Sequence, residues 1–212
     1  MAENRCPGLL FVVSAPSGVG KTTLIQAVRQ NWKALRFSVS CTTRKARPDE
    51  VSGRDYHFLS VQEFECGIQS GRFLEWAKVH GQYYGTDGEQ VANWLSHGDD
   101  VLLDIDVQGT KQVLSVYPLA NTIFILPPSL ETLKERLQKR ATESKEQIAI
   151  RLSAAATEIR EAPCFDYIIE NDLLDEAIAD LDSILRACHC TQLHKARRLR
   201  PFLLSANNPF QI

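Results

Sequence analysis

Lys21 and Thr22 close the run Ala15-Pro16-Ser17-Gly18-Val19-Gly20-Lys21-Thr22-Thr23, whose residue types suit the phosphates of a nucleoside triphosphate. Gly18 and Gly20 let backbone N–H groups approach an anion, Lys21 offers a charge to the β- and γ-phosphates, and Thr22 offers a hydroxyl to Mg²⁺. Ala15 stands where the strict phosphate-loop pattern has its first glycine; the relaxed pattern, a small residue, four others and Gly-Lys-Thr, still holds. A second group is cationic. Arg136 and Arg140 are four apart on one predicted helix, hence on one face, and Arg151 lies on the next, beyond the stretch 141–145. Pressing a monophosphate against a triphosphate brings two polyanions together, and fixed guanidinium groups neutralise the charge on the transferring phosphoryl. Taken singly, each arginine also suits a solvated helix face; it is their joint placement that points to phosphate. Asp104 ends an apolar run, where an acidic residue orients water on a Mg²⁺ ion.

These groups need elements to hold them. Leu9–Val13 is short, apolar and partly β-branched, lies between Pro7-Gly8 and Ser14–Gly18, and reads as a buried strand. From Lys21 the apolar positions Leu24, Ile25 and Val28 recur at helical spacing, so the loop ends at a helix N-terminus, where free N–H groups and the helix dipole favour an anion. Further strands are predicted at Val101–Ile105, Thr122–Leu126 and Tyr167–Ile169, with helical patterns between them, which is the alternation of a parallel α/β sheet. Ser129 is placed to cap the helix after Pro127-Pro128, and Ser144 with Gln147 forms a capping-box pattern. Leu174, Ala177, Ile178, Leu181, Ile184, Leu185 and Cys188 mark one face of a final long helix. Residues 37–86 read differently, with several glycines, short strand-like pieces such as Asp55–Leu59 and no long helical periodicity; they are predicted to form a lobe inserted in the core.

A chain of 212 residues accommodates one substantial core with a small lobe. A net charge of -2 argues against bulk electrostatic binding to nucleic acid or membrane, so neither is expected as a partner. No apolar run reaches the roughly 18 residues that span a bilayer, and residues 1–8 carry no secretory pattern; a cytoplasmic location is expected. Six cysteines are scattered without a Cys-x-x-Cys pair, as suits reduced thiols. The spacing of Cys188, His189, Cys190 and His194 matches no usual zinc pattern, and these read as incidental helix residues. Lys195, Arg197, Arg198 and Arg200 form a basic tail that reads as a solvated helix end.

In the lobe, Thr42, Thr43, Arg44, Arg47, Glu50, Gly53, Tyr56 and Phe58 stand in a spacing that strongly resembles the guanylate kinases. The resemblance continues through Phe73–Ala77, Gly81–Thr86, Leu103–Gly109, Phe124–Ser129, Arg151–Ala155 and Ile168–Asp172, and so covers residues 8–188. It implies a P-loop parallel β-sheet flanked by helices: a core at 8–36 and 87–188, a GMP-binding lobe at 37–86, a helical lid at 137–150 and a tail at 189–212. The activity implied is Mg²⁺-dependent transfer from ATP to GMP, with dGMP as an acceptor and a homo-oligomer left open. Guanine presents N1–H and an exocyclic amine side by side, so a selective pocket needs a carboxylate, and Glu75 is the candidate. Adenine would leave that carboxylate desolvated without a donor, a mismatch worth about 10⁴ in discrimination. By the resemblance, Ser40 and Thr86 serve the acceptor edge of the base, while Arg44, Arg47, Tyr56 and Tyr84 hold the GMP phosphate. Arg136 and Arg151 lie near the transferring phosphates, Arg140 and Asn171 near the adenine, and Asp106 near the guanine or at the mobile junction. Asp106 could instead cap the helix that follows it. Two rival readings are a scaffold module that kept the fold without catalysis and another small-molecule kinase. The intact Gly18, Gly20, Lys21 and Thr22 oppose the first, and Thr42–Phe58 with Glu75 the second.

Overall fold

The structure, a computed structural model, describes residues 7–32, 34–79, 81–139, 145–191 and 194–195. Its centre is β1 (Leu10–Ser14), buried along its whole length because it pairs on both sides and is covered on both faces. With β2 (Leu35–Phe37), β7 (Asp100–Asp104), β8 (Asn121–Leu126) and β9 (Tyr167–Glu170) it forms a parallel sheet in the order β2-β7-β1-β8-β9.

Alternate side chains divide the core into two layers. Phe11, Val13, Leu102, Ile123, Ile125 and Ile169 pack on one face with α1 (Lys21–Asn31) and α7 (Leu174–Cys188), which contribute Leu24, Ile25, Val28, Ala177, Leu181 and Leu185. Leu10, Val12, Val101 and Leu103 pack on the other with Val91 and Leu95 of α3 (Gly88–Ser96) and Val113 of α4 (Val107–Val116). Of the face predicted for α7, Leu174 alone is exposed, at 39%.

The lobe carries β3 (Cys41–Thr42), β4 (His57–Phe58), β5 (Phe73–Val79) and β6 (Gln82–Asp87) in the order β4-β3-β6-β5. It also holds a helix that the periodicity did not announce, α2 (Val61–Gln69). Nine residues are too few to display a hydrophobic period, but the Ser60-x-x-Glu63 spacing was the available signal. The Ser60 hydroxyl accepts from the Glu63 N–H at 3.2 Å, and the Glu63 carboxylate accepts from the Ser60 N–H at 2.7 Å. Phe64 of α2 stacks on Phe73 and Tyr83, with ring centroids 4.1 and 5.1 Å away, and so seats the helix on the β5–β6 hairpin. A second difference lies at Phe37, which ends β2 and pairs with Leu102 in the five-stranded sheet.

Helices α5 (Leu130–Lys139) and α6 (Lys145–Ile159) pack through Leu133, Leu137, Ile148 and Ala155. Ser129 caps α5 by accepting from the Thr132 N–H at 3.0 Å, as the sequence predicted. The expectations for Arg140, Ser144, Arg197, Arg198 and Arg200 fall outside the described residues. Among the described residues no helix is long and apolar enough to cross a membrane, and no cluster of three or more metal-ligating side chains occurs. His189, one of the candidate ligands, is engaged structurally: its Nε2 lies 2.7 Å from the buried Asp100 carboxylate and its ring stacks on Trp32.

Candidate active site

The phosphate loop joins the C-terminal end of β1 to α1, at the edge where open α/β sheets bind ligands. Gly20 caps α1 with φ 101° and no side-chain cap, so the first-turn N–H groups of the helix are not claimed by a cap. A Cβ at Gly20 would meet the Asn171 amide nitrogen at 2.7 Å. The loop is anchored by the Val19 side chain, fully buried in the core, while Ser17, Thr22 and Thr23 are exposed and Ala15, Gly18 and Lys21 half-buried; Pro16 is buried and its carbonyl accepts from the Val19 N–H.

Lys21 reaches past the loop to the end of β7. Its Nζ lies 2.5 Å from the Asp104 carboxylate and donates to the Ile105 carbonyl at 3.2 Å. Asp104, expected to orient metal-bound water, thus also sets the position of Lys21.

Two predicted nucleotide contacts support the loop itself. The buried Asn171 side chain donates to the Val19 carbonyl at 2.7 Å, so its amide faces the loop backbone rather than open surface. Arg136 donates to the same carbonyl at 3.2 Å and to the Asn171 carbonyl at 2.9 Å. Arg151 reaches the Ser17 hydroxyl at 3.4 Å, which puts a second guanidinium over the loop. Two turns on along α6, Glu158 was missed by the sequence reading. It is half-buried, burial raises its carboxyl above the ordinary range, and its charge couples to Lys21 and Asp106. Its spacing of seven from Arg151 on one helix was the signal.

Across the cleft, Arg44 is built into the lobe by three partners. Its Nη2 donates to Glu50 Oε1 at 2.7 Å, its Nη1 donates to the Lys45 carbonyl at 2.9 Å, and its guanidinium lies 5.3 Å from the Tyr56 ring centroid. The Glu50 hydrogen bond holds Arg44 charged, and Arg44 in turn lowers the Glu50 carboxyl. The other Glu50 oxygen accepts from the Arg47 N–H at 2.8 Å, which shapes the turn and leaves Arg47 exposed. Tyr56 and Tyr84 meet edge to face at 6.1 Å; burial raises the Tyr56 phenol, and its charge environment includes Arg44 and Asp104. Those couplings bring the lobe's cationic corner and the end of β7 into one neighbourhood.

Glu75, on β5, is 6% exposed. Its Oε1 accepts from the Thr86 hydroxyl at 2.6 Å, and burial, reinforced by the Asp106 charge, pushes its pKa up to about 7. The Thr86 hydroxyl, expected to serve the acceptor edge of a base, donates to this carboxylate here. Asp106 caps α4 by accepting from the Gly109 N–H at 2.7 Å, so the cap reading is correct, and it stays exposed beside Glu75. Gly109 is required by close approach: a Cβ there would meet Glu75 Oε2 at 2.8 Å. Ser40 is half-buried at the start of β3, where its carbonyl accepts from the His57 N–H at 2.9 Å. An apolar cavity of about 530 Å³ lined by Leu9, Leu10, Leu95 and Ala120 lies at the opposite end of the sheet and takes no part in this arrangement.

Comparison with known proteins agrees along the chain. A family model described as guanylate kinase matches residues 8–188. The guanylate kinase of Symbiobacterium thermophilum is 47% identical over 197 residues, covering 93% of this chain and 90% of the relative. That of Nitrosospira multiformis is 48% identical over 181 residues, covering 85% and 86%. The crystal structure of guanylate kinase from Anaplasma phagocytophilum superposes with a TM-score of 0.75 at 30% identity, covering 98% of this chain and 99% of that one.

Proposed function

The chain belongs to the guanylate kinase family and phosphorylates GMP with ATP, and we propose that the phosphate loop and the four-stranded lobe divide that reaction between donor and acceptor. Residues 41–87 form the acceptor side and α5 with α6 the lid. The observation that carries the assignment is the dry Glu75 carboxylate, braced by Thr86 and Gly109, because guanine alone among the common bases offers it two adjacent donors.

In this reading ATP lies with its β- and γ-phosphates on the open N-terminus of α1, where Lys21 supplies the nearest fixed cation. The exposed Thr22 hydroxyl and the Asp104 carboxylate are hard oxygen donors that fit Mg²⁺, with Asp104 acting through water. When bound, the ion spreads the charge of the β- and γ-oxygens. Arg44, Arg47, Tyr56 and Tyr84 hold the GMP phosphate, and Arg136 and Arg151 swing from their loop contacts onto the transferring group. An ionised phosphate oxygen of GMP forms the new P–O bond as the β,γ-bridging bond of ATP breaks, and ADP leaves with that bond's electron pair. The nucleophile arrives deprotonated, so positioning and charge neutralisation carry the catalysis and no general base is used. dGMP carries the same base and phosphate and is expected to serve as an acceptor too.

The test offers GMP, AMP, CMP and UMP separately with ATP and Mg²⁺ and follows ADP. Turnover with GMP alone, reduced at least 10³-fold by Lys21→Ala, is expected from the loss of the P-loop cation (roughly 4 kcal/mol). Equal turnover of AMP would overturn the assignment of Glu75.

A further inference from the structure

Gln112 lies on α4 one turn beyond Gly109 and spans the gap to the edge of the acceptor sheet. Its Oε1 accepts from the Trp76 backbone N–H at 3.1 Å, and its Nε2 donates to the Trp76 carbonyl at 3.0 Å. Within the four-stranded sheet β5 is the last strand and pairs with β6, where Trp76 faces Gly85. In an antiparallel ladder alternate residues turn both backbone groups away from the partner strand, and Trp76 is one of these. A glutamine amide carries one acceptor and a donor in the geometry of a peptide group, so Gln112 continues the ladder by one position.

The residue fixed in this way is the immediate neighbour of Glu75. Asp106, Gly109 and Gln112 are three apart and form one face of α4 toward β5. The first sets the helix start, the second leaves room for the Glu75 carboxylate, and the third grips the strand that carries it. Thr86 holds the same carboxylate from the β6 side.

We propose that Gln112 is a positioning residue for base recognition: it stays clear of the nucleotide and fixes β5 so that the Glu75 carboxylate meets both guanine donors at once. This rests on the reading of Glu75 as the guanine-binding group. Neither the phosphate loop nor the arginines touch this amide, so its influence falls on the acceptor.

Gln112→Met keeps the length and helix preference of the side chain and removes both hydrogen bonds. The KM for GMP is expected to rise about tenfold, which is what loss of one modest polar coupling produces, while kcat at saturating GMP and the KM for ATP stay within about twofold. The preference for GMP over AMP in kcat/KM falls with it, a readout that a merely structural role would leave in place. A double-mutant cycle with Glu75→Gln separates the two claims. If Gln112 acts through Glu75, adding Gln112→Met to Glu75→Gln changes the KM for GMP by less than about twofold. A further tenfold rise on the Glu75→Gln background, or a parallel rise in the KM for ATP, overturns the proposal. If Glu75→Gln alone leaves the KM for GMP unchanged, the reading of Glu75 itself is wrong and the proposal falls with it. Should Gln112→Met fail to fold, Gln112→Glu, which keeps the acceptor toward Trp76 and loses the donor, takes its place in the same cycle with the same outcomes.

Discussion

Glu75 shows what a dry pocket does to a carboxylate and why a kinase would keep one. Its ionised form lacks water and has Asp106 nearby, so the folded protein holds its proton up to about pH 7 rather than to the ordinary value of 4.5. The native state binds that proton more tightly than the unfolded chain, so the ionised group costs stability. The cost is absent below pH 4.5, grows with pH, and is complete above about 7, at roughly 3 kcal/mol. Glu75→Gln is therefore expected to raise the melting temperature of the nucleotide-free protein by several degrees at pH 8 and little at pH 5, measured by calorimetry. Binding guanine needs the ionised form, so GMP affinity weakens toward tenfold per unit as pH falls below 7. Glu75→Gln removes that part of the slope, and titration of the GMP phosphate, common to both proteins, cancels in the comparison. Matching slopes by isothermal titration would sink the idea. Lys21 could be read as a candidate from residue type and spacing, because it closes a short motif, whereas Arg44 and Glu75 stand out only through the resemblance to the guanylate kinases and the chemistry of guanine. The partners could not: Thr86 and Asn171 carry hydroxyl and amide groups that suit a ligand equally well, and only the fold shows where each group is directed.

The phosphate loop behaves as an element held from outside. Its Val19 carbonyl receives two donors, from the end of β9 through Asn171 and from α5 through Arg136. Asn171→Ala is expected to cost about 1–3 kcal/mol in urea denaturation, since a buried carbonyl keeps only the longer of two bonds. It should also raise the KM for ATP several-fold while calorimetric GMP binding is unchanged; a loss confined to GMP would refute the clamp. That bond joins residues 152 apart in the chain, a separation that no local pattern encodes. The four long strands of the parallel sheet were legible as short apolar runs between turn residues, and α1 and α7 because the 3.6 period repeats over enough residues. Helix α2 was not, because it is one short amphipathic segment among glycines whose register is set by Phe64 stacking on strands formed later in the chain.

On the scale of the whole molecule, the five-stranded sheet presents Lys21, Asp104 and the loop at one end, where Arg136 of α5 and Arg151 of α6 reach the loop, while α4 joins the sheet to the acceptor lobe through Gln112. Transfer without hydrolysis requires the lobe and these helices to exclude water together. The radius of gyration measured by small-angle scattering is expected to fall when GMP and a non-hydrolysable ATP analogue are both present, more than with either alone. A constant radius would leave closure without support. The change in pattern after residue 36 suggested a lobe at 37–86; strand pairing puts Phe37 in the five-stranded sheet and Asp87 in the four-stranded one, boundaries that no local pattern encodes. Where the lobe meets α4, β5 is a sheet edge, and edges left uncovered are templates on which other chains add strands and aggregate. Gln112 answers the outward N–H and carbonyl of Trp76 from within the same molecule, and the flanking Lys78 adds a charge that a neighbouring strand would have to bury. The amide that aims Glu75 thus also makes the lobe a poor seed for intermolecular sheet growth, and a variant lacking it should be watched for lost solubility as well as lost selectivity.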